Sequence, residues 1–202
     1  FEELIAQGAH NIDLITATHF LPWILPALTP RLPVPLVYNC GGYERVETLR
    51  QLEGLVDIWL PDLKYADAAP AAELSAAPDY FPVAADAILE MFRQTGPYIM
   101  ENGLLRRGVV IRHLVLPGYP DNTRRVIDWV ARTFRPGDVL FSLMSQYTPQ
   151  PGAQGRLARR VTRAEYRAAA DYMHNCGITD GFTQERTAAR EEYTPPFDLT
   201  GV

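Results

Sequence analysis

The stretch Val56-Asp57-Ile58-Trp59-Leu60-Pro61-Asp62-Leu63-Lys64-Tyr65 runs from apolar residues directly into two opposite charges. A short apolar run with a β-branched start and an aromatic reads as a strand buried on both faces, as in parallel sheets flanked by helices. Asp62 and Lys64 are two apart, so extended geometry past Pro61 sends both side chains off the same face. One reading is a carboxylate and an ammonium aimed together at a ligand. The other is an ordinary ion pair where a strand ends, which contributes little.

The pattern repeats along the chain. Val34-Pro35-Leu36-Val37-Tyr38 leads into Asn39-Cys40-Gly41-Gly42, Val109 to Leu116 into Pro117-Gly118, and Val139 to Met144 into Ser145-Gln146-Tyr147. Strands that deliver polar groups or glycines at their carboxyl ends are expected at the edge where parallel sheets and barrels bind ligands. Between them lie helical patterns: Val46 to Glu53 before Gly54, an alanine-rich Ala68 to Ala77, and an amphipathic Phe81 to Thr95 before Gly96-Pro97. Asp121 or Asn122 reads as the N-cap of a helix with Val126, Ile127, Trp129 and Val130 facing the core. Thr162-Arg163-Ala164-Glu165 is a capping box for a helix reaching His174.

An alternating strand is expected from Asn11 to Thr16, a proline-punctuated helix from Phe20 to Pro30, and two short strands joined at Asn102-Gly103. A last strand or turn falls near Gly181 to Gln184, before an acidic tail from Glu191 to Val202. The proline- and glutamine-rich Thr148 to Gly155 reads as a mobile loop, a candidate lid. Strand and helix alternate at least five times, which predicts a parallel α/β sheet or an open barrel.

With 202 residues and 47% hydrophobic content, the chain is expected to form one domain with a substantial core. A net charge of −5 with no basic stripe argues against nucleic acid as a partner. No apolar run approaches bilayer length and no signal pattern opens the chain, so a soluble cytoplasmic protein with no membrane partner is expected. The two cysteines, Cys40 and Cys176, stand far apart and cannot by themselves hold zinc or an iron–sulfur cluster. Cys176 reads as a small buried residue, whereas Cys40, beside two glycines, could face a pocket.

No phosphate loop, dinucleotide fingerprint, serine elbow or metal-spaced histidine pair is present. Arg112 and His113 are neighbours in one strand, so only one of them can face the interior. We read Arg112 inward, meeting either an anionic ligand group or a structural carboxylate. Asn39, Asp62, Lys64, Arg112 and Gln146, all at strand ends, would then form a polar ring suited to a small zwitterion.

Those same residues carry a resemblance. Pro-Asp-Leu-Lys-Tyr at 61 to 65, Val-Tyr-Asn-Cys-Gly-Gly-Tyr-Glu at 37 to 44, Ile-Arg-His-Leu-Val-Leu-Pro-Gly at 111 to 118 and Ser-Leu-Met-Ser-Gln-Tyr-Thr-Pro at 142 to 149 resemble radical S-adenosylmethionine proteins. The branch is the one termed pyruvate formate-lyase activating enzyme-like. The resemblance runs from Gly8 to Val202. It implies an α/β fold, an open (β/α)6 partial TIM-type barrel of parallel strands, with S-adenosylmethionine and a [4Fe–4S] cluster at the carboxyl ends. Reductive cleavage of the sulfonium there gives a 5′-deoxyadenosyl radical that abstracts hydrogen.

By position, Asp62 and Lys64 resemble the family's contacts to the methionyl portion, Asn39 lies on a strand end approaching the cofactor, and Arg112 resembles an arginine of the fifth strand. Thr18-His19 stands where relatives carry a Gly-Gly-Glu segment receiving the methionine amine. The resemblance also implies a glycyl-radical enzyme or a small molecule as substrate, and flavodoxin or ferredoxin as electron donor. The family's Cys-x3-Cys-x2-Cys loop and first strand are missing from this chain, and Phe1 opens inside a helical pattern. Residues 1–202 are therefore expected to be one N-terminally truncated domain that holds no cluster alone, since three thiolates on that loop bind the irons. Two further readings are a non-catalytic nucleoside- or peptide-binding module and a nonfunctional gene fragment with an exposed sheet edge.

Overall fold

Strand β1, Ile12–Ile15, alternates: Ile12 and Leu14 are buried while Asp13 and Ile15 are exposed. That alternation fixes the two faces of the sheet, because residues paired across parallel strands point the same way. The computed structural model describes residues 1–183. Among them β1, β2 (Leu36–Cys40), β3 (Ile58–Pro61), β5 (Leu104–Leu114), β6 (Leu140–Met144) and β7 (Gly181–Thr183) pair in the order β1-β2-β3-β5-β6-β7, every pair parallel. β4, Ile99–Glu101, adds an antiparallel hairpin partner to β5. Each strand lies beside the next parallel one and β1 and β7 form the two ends, so the sheet is an open barrel of the expected α/β class.

α1 (Glu2–Ala6) precedes β1, and the connections carry α2 (Leu21–Ile24), α3 (Val46–Arg50), α4 (Ala68–Ser75), α5 (Tyr80–Thr95), α6 (Pro120–Thr133) and α7 (Arg163–Asn175). Leu14, Tyr38, Cys40, Trp59, Ile111, Phe141 and Leu143 pack from one sheet face into a core with Leu49, Ile88, Met91, Val126, Ile127 and Met173 of the helices. Val37, Ile58, Val110 and Leu140 are also buried but lie on the opposite face, where the register aligns them as the floor of a concave trough. No helix among the described residues is long and apolar enough to cross a membrane.

Several local expectations change in the folded chain. The segment from Phe20 to Pro30 is three short pieces, a 3₁₀ turn at Thr18–Phe20, α2, and a second 3₁₀ turn at Leu25–Leu28, since prolines at 22 and 26 allow starts but no interior hydrogen bonds. β5 begins at Leu104 rather than Val109, because Asn102 (φ 52°) and Gly103 (φ 77°) turn the chain into a hairpin that extends the strand. α6 starts at Pro120, so neither Asp121 nor Asn122 is its N-cap; the Asn122 amide is spent on backbone groups of another connection. The Thr162–Glu165 capping box is formed in both directions. The acidic tail from Glu191 lies outside the described residues.

Candidate functional site

Paired residues carry the alternation of β1 across the sheet: Asp13 shares a face with Val37, Ile15 with Asn39, Asn39 with Leu60, and Arg112 with Ser142. A further bridge sets Asp62 beside Arg112. The polar members of the concave face therefore meet above its apolar floor. Arg112 Nη2 donates to Asn39 Oδ1 at 2.6 Å and forms an ion pair with Asp62 Oδ1 at 2.8 Å. Lys64 Nζ stands 3.8 Å from the other oxygen, Asp62 Oδ2. Asp62 and Arg112 are about a quarter exposed and Lys64 about half, so the strip opens to solvent through the ammonium.

The Asp62 carboxylate is thus flanked by two cations, and with Asp13 on β1 the strip sets two carboxyl groups against Arg112 and Lys64. Arg112 Nε is buried with no hydrogen-bond partner among the described residues. An orphaned buried donor costs free energy unless something accepts from it. Asp13 continues the strip on β1: although the residue as a whole is exposed, partial burial of its carboxyl against the sheet pushes it up, opposed by a hydrogen bond from the Asn39 side chain and by the Arg112 charge. Because Asn39 Oδ1 accepts from Arg112, its amide NH2 is the group that serves Asp13.

His113, next to Arg112, points into the helix-side core and is fully buried. Its Nδ1 lies 2.7 Å from Leu63 O and its Nε2 2.9 Å from Thr123 Oγ1. A carbonyl only accepts, so Nδ1 carries the proton and Nε2 accepts from the threonine hydroxyl. Burial holds this histidine down at about 4, against the support of the Leu63 carbonyl.

The other candidates fall elsewhere. Thr18 is tied away from the strip, its hydroxyl 2.9 Å from Tyr38 OH and donating to Glu44 Oε2 at 2.8 Å. His19 is exposed and lies against the Phe20 ring at 4.0 Å. Gln146 is exposed on the loop two residues past β6. Cys40 does not face the trough: it shares the helix side with Leu36 and Tyr38, and burial pushes its thiol up to about 12. A thiol so placed is a poor thiolate ligand. Cys176 is the C-cap of α7, and among the described residues no three His, Cys, Asp or Glu side chains gather to ligate a metal.

Sequence reasoning missed Asp13 and Ser142 on the trough, and Tyr80 behind it. The signal for Asp13 was present, since it is the polar residue on the outward face of an otherwise apolar strand. Tyr80 left none, because its role depends on loops that approach only in the fold. An apolar cavity of about 260 Å³ between α6 and α7, lined by Val115, Leu116, Thr123 and Ala168, holds none of the polar strip. The polar strip lies on the open face instead.

No family model matches the chain. A curated relative, the uncharacterized protein MJ0674 of Methanocaldococcus jannaschii, is 29% identical over 143 residues, 68% of this chain and 37% of that protein. The chain thus spans little more than a third of that relative. Among solved structures, a domain of a pyruvate-formate lyase-activating enzyme from Bacteroides vulgatus superposes with a TM-score of 0.61 over 87% of this chain and 98% of that one, at 11% identity. At that identity the likeness is one of fold: this chain folds as an open parallel α/β sheet similar to that of an activating-enzyme domain.

Proposed function

We propose that the concave trough binds S-adenosylmethionine, and that the chain is the ligand-binding portion of a radical S-adenosylmethionine enzyme of the activating-enzyme-like kind. The observation that carries this reading is the strip Asn39, Arg112, Asp62 and Lys64 at the carboxyl edge of parallel strands. In this reading the ligand's carboxylate meets Lys64 and its ammonium meets Asp62. Arg112 Nε is the donor left over for a carboxylate or ribose oxygen. When bound, the ligand supplies a sulfonium whose carbon–sulfur bond is open to reductive cleavage.

The residues of this chain do not fit a [4Fe–4S] cluster, which takes three thiolates from one loop. Cys40 is buried on the helix side and Cys176 caps the far end of α7. The function proposed for these residues is accordingly binding and orientation. A glycyl-radical or small-molecule substrate and a flavodoxin- or ferredoxin-type donor belong to the same proposal.

Calorimetry with S-adenosylmethionine tests it. Binding is expected, weakened at least about tenfold by Lys64→Ala and by Asp62→Asn, since each change leaves an opposite charge unpaired at the site. Both variants should keep the wild-type melting temperature. Absence of heat at millimolar ligand, or equal affinity in both variants and wild type, refutes the reading.

A further inference from the structure

The backbone that carries Asp62 and Lys64 has every polar group occupied, although it lies beyond the end of β3. Asp62 N donates to Cys40 O at 3.0 Å and Leu63 N to Arg112 O at 2.8 Å, continuing the neighbouring strands. The other four groups are met by side chains. Asp62 O accepts from Tyr80 OH at 2.7 Å, and Lys64 N donates to the same hydroxyl at 3.1 Å. Leu63 O accepts from His113 and Lys64 O from Asn122 Nδ2 at 2.9 Å.

Tyr80 is the hub of this arrangement. Its single O–H is shared between Asp62 O and Gly41 O, the latter at 2.9 Å, so one phenol ties the end of β2 to the end of β3. Gly41 follows Asn39 by two residues. The hydroxyl therefore links the segments bearing Asn39, Asp62 and Lys64 from the helix side, without lying on the concave face itself. Its ring is held edge-on to Tyr65 at 5.4 Å and stacked on Tyr43 at 5.8 Å, so the oxygen has little freedom. Gly42 completes the contact: a Cβ there would stand 2.0 Å from Asp62 O.

Filling this space would have needed only a phenylalanine. The hydroxyl adds three bonds, all to two of the segments that bear the polar strip, those of Asn39 and of Asp62 and Lys64, and side chains held by such outer contacts keep a binding group in register. We propose that Tyr80 is a positioning residue for the trough: its hydroxyl fixes the placement of Asp62 and Lys64 relative to Asn39, and so sets affinity for the zwitterionic end of the ligand. This rests on the binding function proposed above.

Tyr80→Phe keeps the ring and removes only the hydroxyl. Two readouts are needed, one of them independent of any ligand. By NMR-detected amide exchange, Lys64 N–H should exchange about tenfold faster in the variant, the loss of one hydrogen bond, while Val109 and Ile111 in the core are unchanged. By calorimetry, affinity for S-adenosylmethionine should fall about tenfold. Affinity for methylthioadenosine, which lacks the zwitterion, should stay at the wild-type value. A general loosening of the fold would weaken both ligands alike and overturn the proposal.

Unchanged exchange at Lys64, or faster exchange with unchanged S-adenosylmethionine affinity, also overturns it. If wild-type protein binds no S-adenosylmethionine, the proposed function fails by itself, and exchange at Lys64 still decides whether the hydroxyl orders this backbone. Should Tyr80→Phe not fold, amide exchange in the wild-type protein still tests the bond: Lys64 N–H protected well beyond an unstructured amide is expected, and an unprotected Lys64 N–H overturns the proposal.

Discussion

Acid should weaken this fold through one histidine well before its carboxylates titrate. His113 is fully buried and held at about 4, below its ordinary value of 6.5, by burial. Between those two values the unfolded chain takes up a proton that the folded chain refuses. Its contribution to stability is therefore complete above about pH 6.5 and is lost as pH falls toward 4. The slope is about 1.4 kcal/mol per pH unit and the total about 3 kcal/mol. Glu90 works in a lower window: the Arg93 guanidinium holds its carboxyl at about 2 against the cost of burial, so its contribution is present above 4.5 and lost below that. The Asp13 carboxyl, pushed up by burial, is common to wild type and a His113 variant, so the difference between the two over the interval from 6.5 to 4.5 isolates the histidine.

Urea unfolding of wild type and His113→Gln at half-unit steps from pH 8 to 4 measures it. The variant should start lower at pH 7, by about 1–3 kcal/mol, because Leu63 O and Thr123 lose a partner. Its stability should then fall less steeply than wild type, so that the two curves converge by pH 4.5. Curves that stay parallel through that interval would refute a neutral, buried His113 and with it the assigned tautomer.

Three other outcomes follow from the geometry. Gly42→Ala should cost more than about 2 kcal/mol in urea unfolding, since φ is 79° and the new methyl would strike Asp62 O, whereas Gly54→Ala, at the same φ but in open space, should cost about 1 kcal/mol. Arg112→Lys preserves the charge but removes Nη2, the one nitrogen that meets Asn39 and Asp62 together, and the buried Nε, and should weaken S-adenosylmethionine binding about tenfold in calorimetry with little change in melting temperature. Glu165→Gln should destabilise by about 1–3 kcal/mol at pH 7, because its carboxylate accepts from Gly118 N, Thr162 N and both Arg159 nitrogens, and Arg159 holds it well below the usual carboxylate range. That difference should shrink as pH falls below the ordinary carboxylate value of 4.5, because the unfolded chain then takes up a proton the folded chain still refuses, and urea unfolding at pH 7 and pH 3 would read the decrease.

The fold class was legible because its signals are local. A period of two marks the strands, Gly54 and Gly96 stop helices, Thr162 and Glu165 close a capping box, and Asn102-Gly103 forces a hairpin. The same period separates Arg112 from His113. The proline-rich stretch after Thr18 misled for an equally local reason, since a pattern of apolar residues was read as one helix where the prolines permit only short turns. Cys40 misled because its neighbours are glycines at a strand end, a position that says nothing about which face the thiol takes until the strand's register is known.

By itself the sequence determined that strands and helices alternate, that several strands deliver polar groups at one end, and which residue types stand there. Only the tertiary structure decided that Arg112 meets Asn39, 73 residues away, and Asp62 in one strip, that Asp13 joins them from β1, and that Thr18 does not. The physical reason is that propensity and period act over a few residues, whereas strand order and register come from the summed pairing and packing of the whole sheet. Tyr80 makes the point most directly: no pattern near it in the chain names Gly41, Asp62 or Lys64, and its hydroxyl finds all three only once β2, β3 and α5 have assembled.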